Sequence, residues 1–291
     1  VGRLATRRAR STSKELMAMP TRTLVPQDLF QVQMVDDPQL SPDGKQVAWV
    51  QSWIEPATND YRSVICLRAV DGDEVQRVTN ALGLCTHPRW SPDGQRLAYL
   101  ATRPAGSHAP IPPQLCIVTL GEDDVRCVTN LRHGIAEPVW SPDGAQIAFT
   151  TLVDPAVGVA PAGGDQPADD LYQRFNADVL VARRRRWKSD GFGYLGELRW
   201  AVAVVDLELE DPASAQIPVP VRLVASGEFD LATPVWSPDG LLLAAVGNLD
   251  ADADSTRSQR IYLLDPTPET SAPPRILVGL EDIRQTQVAW S

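Results

Sequence analysis

The chain has 291 residues, of which 43% are hydrophobic and 22% are charged, and its formal net charge is −10. No apolar stretch approaches the roughly 20 residues that a membrane-spanning helix needs, so no membrane partner is expected. The acidic balance argues against nucleic acid as a partner, because binding phosphate requires a basic surface.

The chain begins with a basic segment. Residues 1–23 carry six basic side chains and one acidic one, and they contain no apolar run of the length that a secretory signal requires. We therefore expect a disordered basic extension, with Met17 or Met19 as alternative start sites, and a cytoplasmic protein. The four cysteines form no Cys-x-x-Cys pair, and Cys66 and Cys116 are interpreted as small buried side chains on apolar strands.

A Ser-Pro-Asp-Gly sequence recurs along the chain with similar flanks. In such a turn Pro fixes φ, Asp bonds to the local backbone and Gly accepts a positive φ, which favours a tight hairpin. An apolar strand and a short final strand follow each hairpin, and four strands per copy predict one blade of a β-propeller. The turns begin at Ser41, Ser91, Ser141 and Ser237, with spacings of 50, 50 and 96 residues.

The expected fold is therefore all-β: a propeller of four-stranded blades with TolB-like or WD40-like repeats, covering residues 24–291. The strongest strand predictions fall near residues 46–51, 63–70, 95–101, 114–119, 145–151, 201–207, 241–246 and 260–264. Blades are expected to start near residues 37, 87, 137 and 233.

The last residues repeat the start of a blade. Val288-Ala289-Trp290-Ser291 matches the segment before the earlier turns, so a fifth blade is expected to begin at 287. The propeller is thus expected to be incomplete at its C-terminus. Tryptophans at one shared repeat position are interpreted as packing between blades: Trp90, Trp140, Trp236 and Trp290.

The long third spacing indicates an insertion in the third blade, at residues 153–199. In Lys188-Ser189-Asp190-Gly191, Ser189 lies 48 residues from both Ser141 and Ser237, and the segment could mark a degenerate blade. Residues 151–177, however, offer no candidates for the missing strands. We therefore favour a long loop and then a hairpin, with its first strand from Val179 to Lys188 and its turn at Asp190-Gly191.

Four arginines in this insertion form the candidate site: Arg183, Arg184, Arg185 and Arg186. On a strand they would divide into two pairs on opposite sides. The simpler interpretation is solvated charge, or ion pairing with the acidic surface. The alternative hypothesis is that one pair faces the central channel and binds the carboxylate of a peptide, to which a planar guanidinium is suited.

A second charged segment, residues 250–254, alternates Asp with Ala. It lacks the Gly and Glu that an EF-hand calcium loop needs at its sixth and twelfth positions, which are Ser255 and Ile261. We interpret it as an acidic loop, and we expect neither a metal nor a cofactor.

Several segments resemble the prolyl oligopeptidase family, in its acylaminoacyl-peptidase-like branch. They are the opening from Leu24 to Phe30, the segment from Asp37 to Gly44, and the basic stretch that leads into Asp190-Gly191-Phe192-Gly193-Tyr194. The resemblance implies a seven-bladed propeller followed by an α/β-hydrolase domain with a Ser, Asp and His triad. It also implies that the propeller admits peptides and excludes folded proteins.

The resemblance implies that this chain is the N-terminal, substrate-gating propeller region of a serine peptidase acting on short or N-acylated peptides. No Gly-x-Ser-x-Gly occurs in the 291 residues, so the hydrolase domain is absent and no catalytic residue is assigned. Peptide substrate would bind through that missing domain, and copies of the chain could associate. The alternative is a non-enzymatic TolB-like propeller that binds a protein partner.

Overall fold

The computed structural model describes residues 23–80, 83–102, 112–122, 125–162, 182, 184–190, 192–207, 218–251, 253–256, 258–267, 273–278 and 288–290. The described strands form four four-stranded antiparallel sheets and one two-stranded sheet. The expected all-β class is confirmed, and each four-stranded sheet is one blade. Apart from Thr23, the basic extension lies outside the described residues.

The strands of each blade pair in chain order, from an inner first strand to an outer fourth strand. A short 3-10 helix, Pro26–Gln31, precedes the first blade. Blade 1 comprises β1 (Met34–Leu40), β2 (Gln46–Glu55), β3 (Asp60–Ala69) and β4 (Gln76–Arg77). Blade 2 comprises β5 (Leu84–Trp90), β6 (Arg96–Thr102), β7 (Gln114–Thr119) and β8 (Val125–Cys127).

The third blade contains the insertion. It comprises β9 (Ala136–Trp140), β10 (Gln146–Val153), β13 (Arg199–Asp206) and β14 (Val221–Ala225), while β11 (Lys188–Ser189) and β12 (Gly193–Tyr194) form a separate hairpin. Blade 4 comprises β15 (Asp230–Trp236), β16 (Leu243–Asn248), β17 (Arg260–Leu264) and β18 (Arg275–Val278). All eight predicted strands are present, displaced by a few residues at most.

The Ser-Pro-Asp-Gly turns join the first two strands of every blade with the same bonds. In each turn the Ser Oγ donates to the Asp Oδ1 at 2.5 to 2.7 Å. The same Oγ accepts the backbone N–H five residues further on at 2.9 Å. The four glycines have φ of 71° or 72°, a conformation that only glycine adopts without strain. This local chemistry fixes the hairpin register.

Hydrophobic clusters lie between successive blades. Ile65 of blade 1 packs with Leu97 and Tyr99 of blade 2. Leu115 of blade 2 packs with Phe149 of blade 3, and a third cluster joins blades 3 and 4. The inner strands β1, β5, β9 and β15 contact one another in chain order. The described sheets thus form an arc around a common axis and do not close into a ring.

The repeated tryptophans connect each blade to the one before it. Each indole Nε1 donates to a backbone carbonyl on the inner strand of the preceding blade. The pairs are Trp90 to Gln39 at 3.1 Å, Trp140 to Arg89 at 3.0 Å, Trp236 to Val139 at 3.3 Å and Trp290 to Val235 at 3.3 Å. The packing interpretation is confirmed, and residues 288–290 lie where the inner strand of a further blade would lie.

Two details of the sequence interpretation need correction. The insertion hairpin is shorter than expected: Arg184 to Arg186 form no strand, and the paired strands are Lys188–Ser189 and Gly193–Tyr194. Cys116 is buried as expected, but it forms a disulfide with Cys127 on the neighbouring strand, a pairing that the sequence pattern does not predict. Cys66 is a free, buried thiol.

Candidate functional site

The inner strand of every blade carries a bulge at the same repeat position. The residue before the repeated proline has a positive φ in each case: 48° at Asp37, 55° at His87, 54° at Glu137 and 55° at Thr233. The pairing with the second strand is interrupted at these points. A positive φ costs a residue other than glycine about 1–3 kcal/mol, so neighbouring contacts must hold it. Because the inner strands adjoin, the bulges gather around the axis.

Bonds between blades hold these bulges in place. Arg89 Nη1 of blade 2 donates to Asp37 Oδ2 of blade 1 at 2.8 Å. Glu137 Oε2 accepts the hydroxyl of Thr150 at 2.9 Å and the backbone N–H of Thr233, in blade 4, at 2.7 Å. Each carboxylate therefore contacts the next blade.

His87 lies among these charged groups. Desolvation of its ring and the positive charge of Arg89 lower the pKa of His87, against the opposing effect of the carboxylates of Asp37, Glu137 and Asp36. The imidazole is therefore neutral at physiological pH. Asp37, His87, Arg89, Glu137 and Thr233 are called the axial cluster below.

The axial cluster places hydrogen-bond donors and acceptors on the adjoining inner strands. Among the residues described, no group of three His, Cys, Asp or Glu side chains could hold a metal ion. The described helical residues include no segment long and apolar enough to cross a membrane.

A second polar cluster fixes the insertion to blade 4. The side chain of Arg184 is only 5% exposed, and each of its nitrogens has a partner. Nε and Nη2 donate to the two oxygens of Asp254 at 3.2 Å, Nη2 also donates to Asp230 at 3.3 Å, and Nη1 donates to the carbonyl of Leu198 at 2.5 Å. Asp230 in turn accepts the backbone N–H of Trp200 at 2.9 Å.

The four arginines proposed from the sequence thus have different environments. Arg184 is engaged in ion pairs, as in the simpler interpretation. Arg186 is half exposed and lies 3.6 Å from Asp230, and Arg185 is exposed. Arg183 lies outside the described residues. The cluster with Asp230 places Arg184 and Arg186 at the start of an inner strand, beside the axis.

The axial cluster was missed at the sequence level. His87 lies within β5 and is not among the residues singled out from the sequence. One signal could have found the position: a proline recurs at the same place in every repeat, at Pro38, Pro88, Pro138 and Pro234. The residues before these prolines share no side-chain chemistry, so an inspection of residue types overlooks them.

The comparisons with known proteins agree with this fold. Residues 11–154 match the family model of the TolB beta propeller domain. No curated protein matches the chain by sequence. Among solved structures, uncomplexed acylaminoacyl peptidase from Pyrococcus horikoshii is similar with a TM-score of 0.57 and 15% identity, over 86% of this chain. An orthorhombic crystal form of the same protein gives a TM-score of 0.56 at the same identity.

Prolyl oligopeptidase B from Galerina marginata, solved with a 35-residue hydrolysis and macrocyclization substrate, is similar with a TM-score of 0.52 and 14% identity, over 88% of this chain. The chain spans 33% of the Pyrococcus protein and 31% of the Galerina protein. At these identities the likeness concerns the fold. The four blades and the family match over residues 11–154 together show an incomplete β-propeller that is similar to the TolB beta propeller domain.

Proposed function

We propose that this chain is the substrate-gating propeller region of a serine peptidase that acts on short or N-acylated peptides. The observation that carries the proposal is the fold shared with acylaminoacyl peptidase over 86% of the chain. The opening implied by that architecture would be lined by inner strands whose bulges expose polar groups. Such an opening would admit an extended peptide and exclude a folded domain.

The arginines of the insertion have a place in this proposal. Arg185 and Arg186 are candidates for binding a peptide carboxylate at the entrance, because Arg186 lies beside an inner strand and both side chains are exposed. Arg184 would act only by fixing the hairpin. The same proposal includes a cytoplasmic location. Disulfides are rare in the cytosol, so the Cys116–Cys127 disulfide is the feature that tests this location.

The division of labour can be tested on the chain as it is. We expect no serine of the purified 291-residue chain to react with a fluorophosphonate probe, and no release of p-nitroaniline from acetyl-alanine p-nitroanilide, because the sequence has no nucleophile elbow. Stoichiometric labelling of any serine would contradict the assignment of catalysis to a separate domain.

Gating itself requires the protein that the complete coding sequence encodes. We expect that sequence to contain a Gly-x-Ser-x-Gly after Ser291, and the protein to cleave peptides while sparing folded substrates. Removing residues 24–291 should abolish the size selection and retain probe labelling. A complete protein without a labelled serine, or with the same size selection after removal of the propeller, would refute the proposal.

The match to the TolB beta propeller domain favours a second candidate, a non-enzymatic propeller that binds a protein partner. In that case the complete coding sequence would add no hydrolase motif. The purified protein would instead retain a defined folded partner that does not become cleaved.

A further inference from the structure

The hairpin of the insertion presents an uncommon surface for so acidic a protein. This docking hairpin consists of residues 184–190 and 192–198. It exposes three cations, Arg185, Arg186 and Lys188, against the carboxylates of Asp190 and Glu197, and Arg186 also lies 3.6 Å from Asp230 of blade 4. The chain as a whole has a net charge of −10. The docking hairpin is therefore a positive site on a negative molecule, and it attracts acidic groups.

Two large aromatic side chains accompany these cations. Trp187 is 44% exposed and Phe192 is 47% exposed. Trp187 lies 6.3 Å from Tyr194 between ring centroids, and Phe192 meets Trp200 edge-on at 5.1 Å. Aromatic and arginine side chains beside one another are typical of the residues that contribute most to binding energy at protein interfaces.

The docking hairpin is fixed to the blades, which reduces the entropy that a binding partner must overcome. Arg184 connects it to Asp254 and Asp230 of blade 4 and to its own base at Leu198. The backbone N–H of Leu195 donates to the carbonyl of Trp187 at 2.9 Å, which extends the pairing of β11 with β12. The exposed cations and aromatic rings are thus carried on an ordered support.

We propose that the docking hairpin binds an acidic peptide segment that also carries an apolar side chain. The cations pair with Asp or Glu side chains, and Trp187 and Phe192 cover the apolar residue. Charge complementarity favours an acidic peptide as the ligand. A site of three cations on an acidic protein is small for binding a nucleic acid. Arg185 and Arg186 are also the candidate carboxylate ligands of the proposed function, which this inference extends, but it requires no peptidase activity and is tested on this chain alone.

Binding can be measured by fluorescence anisotropy with a fluorescein-labelled, end-capped peptide of alternating Glu and Leu. The same peptide with Gln in place of Glu is the control ligand. Arg185→Gln/Arg186→Gln/Lys188→Gln removes the cations, and Trp187→Ala/Phe192→Ala removes the aromatic rings. Lys45→Gln/Arg68→Gln/Arg275→Gln is the matched control, because these three cations are also exposed but lie on blades 1 and 4. Thermal unfolding of each variant verifies its fold.

We expect each hairpin variant to weaken binding of the Glu peptide at least tenfold, and the control variant to change it less than twofold. The Gln peptide should bind at least tenfold more weakly. Equal binding of the two peptides, or no binding, overturns the proposal. So does tighter binding of a twelve-residue oligothymidylate, or concentration-dependent self-association in sedimentation that the hairpin substitutions abolish.

Discussion

At the scale of the residue, a few side chains repeat the same bond in every blade. The Ser and Asp of each turn close the hairpin. The indole N–H of each repeated Trp donates to the inner strand of the preceding blade. A buried carbonyl that loses its donor costs more than the net worth of the bond, because it is left without solvent. These positions therefore contribute to stability well beyond their number.

Replacing Trp140 by Phe tests the contact between blades 2 and 3. The indole bond to the carbonyl of Arg89 is lost, while an aromatic ring remains beneath the guanidinium of Arg96, which lies 4.9 Å from the Trp140 ring. We expect a loss of about 1–3 kcal/mol in the free energy of unfolding, measured by urea titration. Trp187→Phe, at an exposed indole, is the control and should change it by less than about 0.5 kcal/mol.

The turn aspartates predict how stability depends on pH. The hydroxyl of Ser141 lowers the pKa of Asp143, as the hydroxyl of Ser237 lowers that of Asp239. A carboxyl with a lowered folded-state pKa stabilises the fold above its unfolded pKa and loses that contribution as pH falls through the folded value. We expect unfolding free energy to decline below about pH 4.

The variant Asp143→Asn/Asp239→Asn should be less stable at pH 7 and should decline less steeply in acid. Asp73→Asn alters an exposed carboxylate outside the turns and serves as the control. Urea titrations at pH 7, 4, 3 and 2.5 provide the measurement. An acid decline as steep in the double variant as in the unmodified chain would contradict this account.

At the scale of the element, the inner strands combine regular pairing with a strained bulge. Thr233 is the clearest case, because a β-branched residue rarely adopts a φ of 55°. Its backbone N–H donates to the side chain of Glu137, and any residue other than proline at position 233 would keep this bond. The strain is therefore held by the contact between blades, independently of the side chain of Thr233.

Two neighbouring glycine substitutions separate strain from ordinary strand propensity. Thr233→Gly should raise the free energy of unfolding by about 1 kcal/mol, because glycine adopts the positive φ freely. Ala232→Gly, one residue earlier in the same strand, should lower it by about 0.5–1 kcal/mol. Differential scanning calorimetry of both variants measures these changes. If both substitutions lower the free energy of unfolding, the bulge is not strained.

The elements differ in how far the sequence predicts them. β7 and β17 lie within a residue of their predicted positions, because a turn signal and an apolar run define them locally. The carboxylate partners of Arg184 are 46 and 70 residues away, so the spacing of neighbouring residues contains no information about them. The Cys116–Cys127 pairing likewise depends on strand register, and the positive φ of each bulge depends on contacts between blades.

At the scale of the whole molecule, the described residues cover one face of blade 1 and both faces of blade 2. The face of blade 1 away from blade 2 exposes Val35, Leu40 and Val70 at 66%, 59% and 46%. In blade 2 the position of Val35 is taken by Cys85, which is 5% exposed. The position of Leu40 is taken by Trp90, which bonds to blade 1.

This asymmetry predicts unequal local stability in the purified chain. A blade buries most of its apolar surface against its neighbours, so one with a single neighbour opens at a lower free energy. We expect amide hydrogens of β2 and β3 to exchange at least tenfold faster than those of β6 and β7, measured by mass spectrometry after pulsed deuteration. Leu40→Lys/Val70→Lys should reduce binding of the dye ANS to the native chain without slowing that exchange.

Equal protection of blades 1 and 2 would show that the open face is covered in solution, by another molecule of the chain or by a segment outside the described residues. Repeating the exchange measurement over a hundredfold range of protein concentration distinguishes these two possibilities. Only contact with another molecule of the chain is lost on dilution.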